Sequence, residues 1–254
     1  MLVDIIPRMI RVGNCNAGYL TGSFERWAVS TTRAYRDGVL RYVLPSFASI
    51  EKDAQRLADE FYHSLPGYDE CDPAAGAEMA QERGIEFYQM MDSVRQTMLN
   101  LVTAGLFHHV EQQLIHISRD RLFVYETPPA KPHLYNARDW YETQFGLDLS
   151  TLPSWDAIDE LRRLANTVKH AEIDQTKELH TKRPRLFDPP FYDDPRYESL
   201  AEGKAERDKF PRRAVSQPLA GDDVFVRRDD FERYADAAES FFLEIADFFR
   251  NYNH

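Results

Sequence analysis

Three polar residues of complementary chemistry fall on one side of a single predicted helix. Over DAIDELRRLANTVKHAE, residues 156–172, each residue advances by about 100° around the axis. Ile158, Leu161, Leu164, Ala165, Val168 and Ala171 then gather on one face, which is the pattern of a helix laid against a core. Arg163, Asn166 and His170 stand at i, i+3 and i+7 on the opposite side, within about 60° of one another. An imidazole takes and returns a proton near neutral pH. A guanidinium holds a phosphate through two hydrogen bonds and stabilises charge building on phosphorus. A carboxamide can orient either group. RNA carries its own nucleophile in the 2′-hydroxyl, so such a row suffices for metal-independent phosphodiester cleavage. The same residues also suit a solvated face, with Asp159 paired to Arg163 at i, i+4 and His170 set by the dipole at the helix C-terminus.

The stretch Arg163-Leu-Ala-Asn166-Thr-Val-Lys-His170 resembles the signature of HEPN (higher eukaryotes and prokaryotes nucleotide-binding) domains. That signature is an arginine, four to six residues, then a histidine, often with asparagine directly after the arginine. Here six residues separate Arg163 from His170, and Asn166-x-x-x-His170 is similar to the asparagine–histidine half. Ala165 stands where the tightest version has arginine, which leaves Arg162 and Arg163 both open as the motif arginine. AGLFHHVEQQL at 104–114 adds to the resemblance, as does the closing aromatic helix. The resemblance implies a small helical bundle, often dimeric, in a family rich in RNA-cleaving toxins and anti-phage defence effectors. It implies His170 as general acid/base, Arg163 as phosphate ligand and Asn166 as the orienting group. A non-catalytic member binding a partner protein or a nucleotide is the alternative.

The chain's charge limits its partners. Of 254 residues, 29% are charged and the net charge is −11, which opposes a general nucleic-acid coat and leads us to expect no DNA partner. A local basic path for RNA remains open. Arg162 and Lys169 flank the row, and Lys182, Arg183 and Arg185 follow it, with RDKFPRR at 207–213 and Arg227–Arg228 further on. As a binding partner besides RNA we expect a second copy or a regulatory protein. Cys15 and Cys71 are too few for a disulfide framework or a cysteine-based zinc knuckle. Glu60-x-x-His63 lacks the second such pair that di-metal bundles use, and His108, His109 and His116 have no H-E-x-x-H frame. No metal or other cofactor is expected. Neither a membrane span nor a convincing signal peptide is visible, because Asp4 and Arg8 interrupt the apolar N-terminus. These features lead us to expect a cytoplasmic protein.

The positioning elements read as mainly α. LVDIIPRMI reads as a short strand or packing arm, and GNCNAGYLTGS as a glycine- and asparagine-rich loop. A weak helix from Phe24 to about Leu44, interrupted by Gly38, is closed by Pro45. Ser46–Leu65 is a better helix, then a turn at 66–76. The longest helix runs from about Ala77 to Phe123, with Phe87, Met91, Val94, Met98, Leu101 and Leu106 as its core stripe. Gly105 marks a close approach or a kink. A proline-rich connector at 127–133 leads to an aromatic helix, Asn136–Phe145, stopped by Gly146. The helix of the row follows, started by Pro153-Ser154. Residues 173–227 read as an irregular excursion with room for one small β-hairpin around Val224–Val226, and Asp229 to about Asn251 as a closing helix. Together this predicts a single domain over 1–254, an antiparallel bundle of five or six helices with one long irregular loop.

Overall fold

In the computed structural model, residues 14–65, 72–119, 134–170, 173–190 and 223–252 are described. The calls on the N-terminal arm, Cys71, the connector at 127–133, Ala171, Glu172 and the basic run at 207–213 lie outside them, as does the side chain of Cys15. The fold is mainly α. Its helices are α1 (Asn14–Gly22), α2 (Val29–Gly38), α3 (Ile50–Ser64), α4 (Pro73–Ser118), α5 (Leu134–Phe145), α6 (Trp155–His170), α7 (Ile173–Lys182) and α8 (Arg228–Arg250). No helix among the described residues is long and apolar enough to cross a membrane.

The described residues fall into two compact units. The first comprises 14–36, 103–119, 134–165 and 229–252; the second comprises 37–65, 72–102, 166–170, 173–190 and 223–228. The cuts fall inside α4, between Val102 and Thr103, and inside α6, between Ala165 and Asn166.

The first unit is an antiparallel bundle. Glu25 pairs with Arg250, Arg33 with Glu239 and Arg36 with Asp236, so the α1–α2 run and α8 point in opposite senses. Ser154 bonds to Glu244 and Tyr234 to Glu160, so α6 and α8 do likewise. Thr32 meets His109 and Tyr35 lies at Gly105, which sets α2 against α4. The centre is aromatic: the Phe24 ring lies 6.0 Å from Tyr141, 6.1 Å from Phe242 and 6.2 Å from Phe249. All four side chains are buried, and full burial of each aromatic ring is worth about 1.5–3 kcal/mol. Gly146, at φ 70°, ends α5 in the left-handed region and turns Leu147 back so that its N–H reaches the Tyr141 carbonyl.

The expected loop at 13–23 is instead the helix α1. Glycine and asparagine disfavour helix locally, but Ala17, Leu20 and Phe24 are buried, and burial of one face outweighs propensity. The first run carries two π-helical turns, Ser23–Ala28 and Val39–Val43, and ends in the short 3₁₀ turn Leu44–Phe47 that contains Pro45. Gly38 does not interrupt it. α4 runs unbroken through Gly105, where a Cβ would lie 2.5 Å from the Tyr35 hydroxyl, so the close approach is present.

In the second unit α3 and the first half of α4 form an antiparallel pair with a seam of small residues. A Cβ on Gly84 would sit 3.0 Å from the Ala54 carbonyl oxygen and 3.1 Å from the Ala58 methyl. The predicted stripe of α4 is only partly a core: Val94 and Leu101 are 46% and 43% exposed. Conversely Asn100 and Thr103, the polar breaks in the apolar run, are fully buried.

Asn100 explains the expected hairpin. Val224–Val226 has no regular secondary structure, and no strand occurs among the described residues. The Asn100 carboxamide donates to the Val224 carbonyl at 2.8 Å and accepts from the Val226 N–H at 3.2 Å, as a neighbouring strand would. Gln96 donates to the Val226 carbonyl at 2.9 Å, and the Phe225 N–H reaches the Leu186 carbonyl at 2.7 Å. The excursion also begins with regular structure, α7 and the 3₁₀ turn Pro184–Phe187, because Leu179, Leu186 and Phe187 find burial there.

Candidate functional site

The row on α6 is held from behind. Ile158, Leu161, Leu164 and Val168 are fully buried and Ala165 nearly so, as their spacing predicts. The start of α6 is tied to α8: the Ser154 N–H and Oγ donate to the Glu244 carboxylate at 3.1 and 2.6 Å. Ser154 therefore precedes α6 at the capping position while its side chain serves a different helix. Further along, buried Glu160 accepts from the Tyr234 hydroxyl at 2.7 Å and from Arg233. Burial foremost, and then the Glu160 charge, push the Tyr234 hydroxyl far above the usual phenol range, so it remains a donor.

On the opposite side the two candidate arginines share one carboxylate. Arg162 donates through Nε at 3.0 Å and Nη2 at 2.8 Å to Asp159 Oδ1, and Arg163 through Nε at 2.9 Å to Oδ2. Side-chain exposure is 11% for Arg162, 16% for Arg163 and 16% for Asp159, so the clamp is largely shielded from water. Burial raises the Asp159 carboxyl, but the hydrogen bonds and charges of the two arginines outweigh it and hold the group below the ordinary carboxylate value. Asp159 therefore remains an anion at neutral pH and fixes the rotamer of Arg163. The i, i+4 pairing expected of an ordinary face is present, and Arg162 joins it.

The C-terminal half of the row is open. Asn166 is half-buried and His170 exposed, and neither side chain has a hydrogen bond or ion pair among the described residues. Lys169 is half-buried, and burial pulls its ammonium below the usual lysine value. Seven residues of helix put about 10 Å of axial rise between Arg163 and His170. The helix can thus present a fixed guanidinium, an adjustable amide and a free imidazole in sequence.

The remaining expected basic residues stand elsewhere. Lys182 ends α7, and Arg183 and Arg185 flank Pro184 in the following turn; Lys182 and Arg185 are exposed and Arg183 is half-buried. They are not part of α6. Arg227 has an architectural task, donating to the carbonyls of Arg185 at 2.7 Å and Asp188 at 3.2 Å.

The other titratable motifs separate in space. His108 meets Glu111 at 3.2 Å, while the His109 ring reaches Thr31 and Thr32 at 3.3 and 3.2 Å and stacks on Tyr35. Burial lowers the His109 pKa. Glu60 accepts from Arg56 at 2.9 Å. No three His, Cys, Asp or Glu side chains come together as a metal cluster among the described residues.

Concave surfaces on α3–α4 and at the first π-helical turn were not anticipated. One, of about 720 Å³, runs along α3 and α4 and is lined by Asp59, Tyr62, His63, Gln81 and Tyr88, with no residue of α6. The other, of about 440 Å³, lies at the π-helical turn Ser23–Ala28. Arg26 and Trp27 fell in the stretch read as a weak helix and Tyr19, Gly22 and Ser23 in the one read as a loop, so nothing in the sequence joined them. No protein-family model, curated protein or solved structure matches the chain.

Proposed function

We propose that this chain is a HEPN-like, metal-independent endoribonuclease of the toxin or anti-phage defence kind, with α6 as its catalytic helix. The observation that carries the reading is the asymmetry of the row: Arg163 is fixed by Asp159, whereas His170 at the far end is exposed and has no partner among the described residues. A proton-transfer group must be accessible, and a phosphate ligand must be pre-oriented.

In this reading His170 takes the proton from a 2′-hydroxyl as its oxygen bonds to the adjacent phosphorus. The bond from phosphorus to the 5′-oxygen breaks, and that oxygen receives a proton from water or from a second acid. The products are a 2′,3′-cyclic phosphate and a 5′-hydroxyl. Arg163, with Arg162 beside it, stabilises the extra charge on the phosphoryl oxygens, and Asn166 orients His170 or the phosphate. Lys169, Lys182, Arg183 and Arg185 attract the RNA strand. The roughly 10 Å of axial rise between Arg163 and His170 favours a homodimer, in which antiparallel α6 rows place His170 near the partner's Arg163.

Asp159 favours a second reading, a helical binding protein of the same fold. One carboxylate already satisfies donors of both arginines, as it would on a face with no substrate. Incubation of total RNA and a tRNA pool with wild type and His170→Ala, in EDTA, separates the two. Cleavage confined to wild type, with cyclic phosphate ends, supports the ribonuclease. Absence of cleavage by wild type gives first place to the binding protein.

A further inference from the structure

The π-helical turn Ser23–Ala28 inserts an irregular step into the first helical run. Such turns are rare and gather at functional sites, because the extra residue per turn redirects the side chains around it. Here Phe24 and Ala28 remain fully buried, while Arg26 and Trp27 project outward and Trp27 is 59% exposed. Tryptophan is seldom left so open in a folded chain.

A cleft of about 440 Å³ opens there, lined by Tyr19, Gly22, Ser23, Arg26, Trp27 and His116. That volume lies within the usual span for small-molecule sites, roughly 300–1,000 Å³. The Arg26 guanidinium lies over bare backbone at Gly22: a Cβ there would be 2.7 Å from Nη2 and 3.4 Å from Nε. A Cβ there would therefore push the end of this flexible side chain aside. Arg26, Trp27 and His116 have no side-chain partner among the described residues. The neighbouring carboxylate, Glu25, is paired with Arg250 at 2.9 Å. In a chain of net charge −11, this leaves a cleft that offers a guanidinium and an imidazole beside an open indole face.

We infer that this cleft binds a nucleotide, with its phosphate on Arg26 and His116 and its base stacked on Trp27. A guanidinium presents a fork of N–H donors matched to phosphate oxygens, and an indole stacks on any base. Ser23 offers a hydroxyl for the sugar or base edge. None of these residues belongs to the α6 row, so the inference stands independently of cleavage by His170. A free mononucleotide and the 5′-phosphorylated end of a single-stranded RNA share this chemistry.

The test is titration of the full chain by calorimetry and tryptophan fluorescence. The probes are adenosine 5′-monophosphate, adenosine, inorganic phosphate, and a short single-stranded RNA with either a 5′-phosphate or a 5′-hydroxyl. His170→Ala protein is used throughout so that RNA remains intact. The expected result is binding of the mononucleotide or the 5′-phosphorylated RNA, with adenosine and phosphate each weaker. Arg26→Gln and Trp27→Ala should each weaken it about tenfold or more. Gly22→Ala is a supporting variant. It removes no functional group and favours helix, so the thermal midpoint should hold or rise while displacement of Arg26 weakens binding. Tighter mononucleotide identifies a free nucleotide as the source, and tighter 5′-phosphorylated RNA identifies an RNA end. Silence of every probe at ~1 mM, or equal binding by all three variants and wild type, overturns the site.

Discussion

Replacing Asn100 with leucine tests how the irregular segment Val224–Val226 is held. The substitution keeps the branched shape and the number of heavy atoms, so no cavity opens, but it removes one donor and one acceptor. The Val224 carbonyl loses its 2.8 Å partner and the Val226 N–H its 3.2 Å partner. Val224, Val226 and Asn100 are all fully buried, so water cannot replace the carboxamide without local opening. An unsatisfied buried backbone group costs about 1–3 kcal/mol. Gln96, which donates to Asn100 at 3.0 Å, retains its bond to the Val226 carbonyl and adds little to the loss. Two orphaned groups with partial relaxation give about 3 kcal/mol. For a chain of this size that lowers the thermal midpoint by roughly 6–12 °C. Urea unfolding measures the total, and hydrogen exchange at the Val226 amide, expected to lose its protection, localises it. Leu101→Ala, next in sequence but 43% exposed, is the control and should cost under about 1 kcal/mol. A loss below about 1 kcal/mol for Asn100→Leu, with the Val226 amide still protected, would refute the argument that a side chain serves as the missing strand.

Three further outcomes follow from particular contacts. Gly84→Ala should destabilise by about 1–3 kcal/mol despite a better helix propensity, because its Cβ meets the Ala54 carbonyl and Ala58 methyl; Gly18→Ala meets nothing within 4 Å and should stabilise by about 0.5–1 kcal/mol, both read by urea unfolding. His109 has its pKa lowered by burial, so the unfolded chain binds its proton more readily. Its contribution is present above pH ~6.5 and is lost as pH falls through the lower folded value, so thermal midpoints from pH 8 to 5 should fall further for wild type than for His109→Gln. Asp159→Ala removes the acceptor shared by Arg162 and Arg163, so it should lower both the thermal midpoint and, if α6 is catalytic, the rate of RNA cleavage.

The sequence displays α6 and α8 clearly because their apolar residues follow helical period, and Ile158, Leu161, Phe231 and Phe241 are buried as that period requires. α1 was hidden because Gly18, Gly22 and two asparagines give weak local preference and its helicity depends on distant burial of Leu20 and Phe24. The inversion on α4 was invisible for a related reason. Periodicity separates faces but does not reveal that the Val224–Val226 backbone would need Asn100 inside, while Leu101 stays outside. At the candidate site, spacing placed Arg163, Asn166 and His170 on one helix side and paired Asp159 with Arg163. That Arg162 would share the same carboxylate depends on side-chain rotamers, which a helical wheel does not fix. The cleft at Arg26 was missed because the π turn redirects residues without a composition signal.

The most direct test of the functional account is cleavage of a tRNA pool in EDTA by wild type and His170→Ala, with the product ends analysed. The account predicts fragments bearing 2′,3′-cyclic phosphate and 5′-hydroxyl ends with wild type, and none with a folded His170→Ala variant. Undiminished cleavage by His170→Ala would contradict it, because the exposed imidazole at the end of α6 is the group assigned to move the proton.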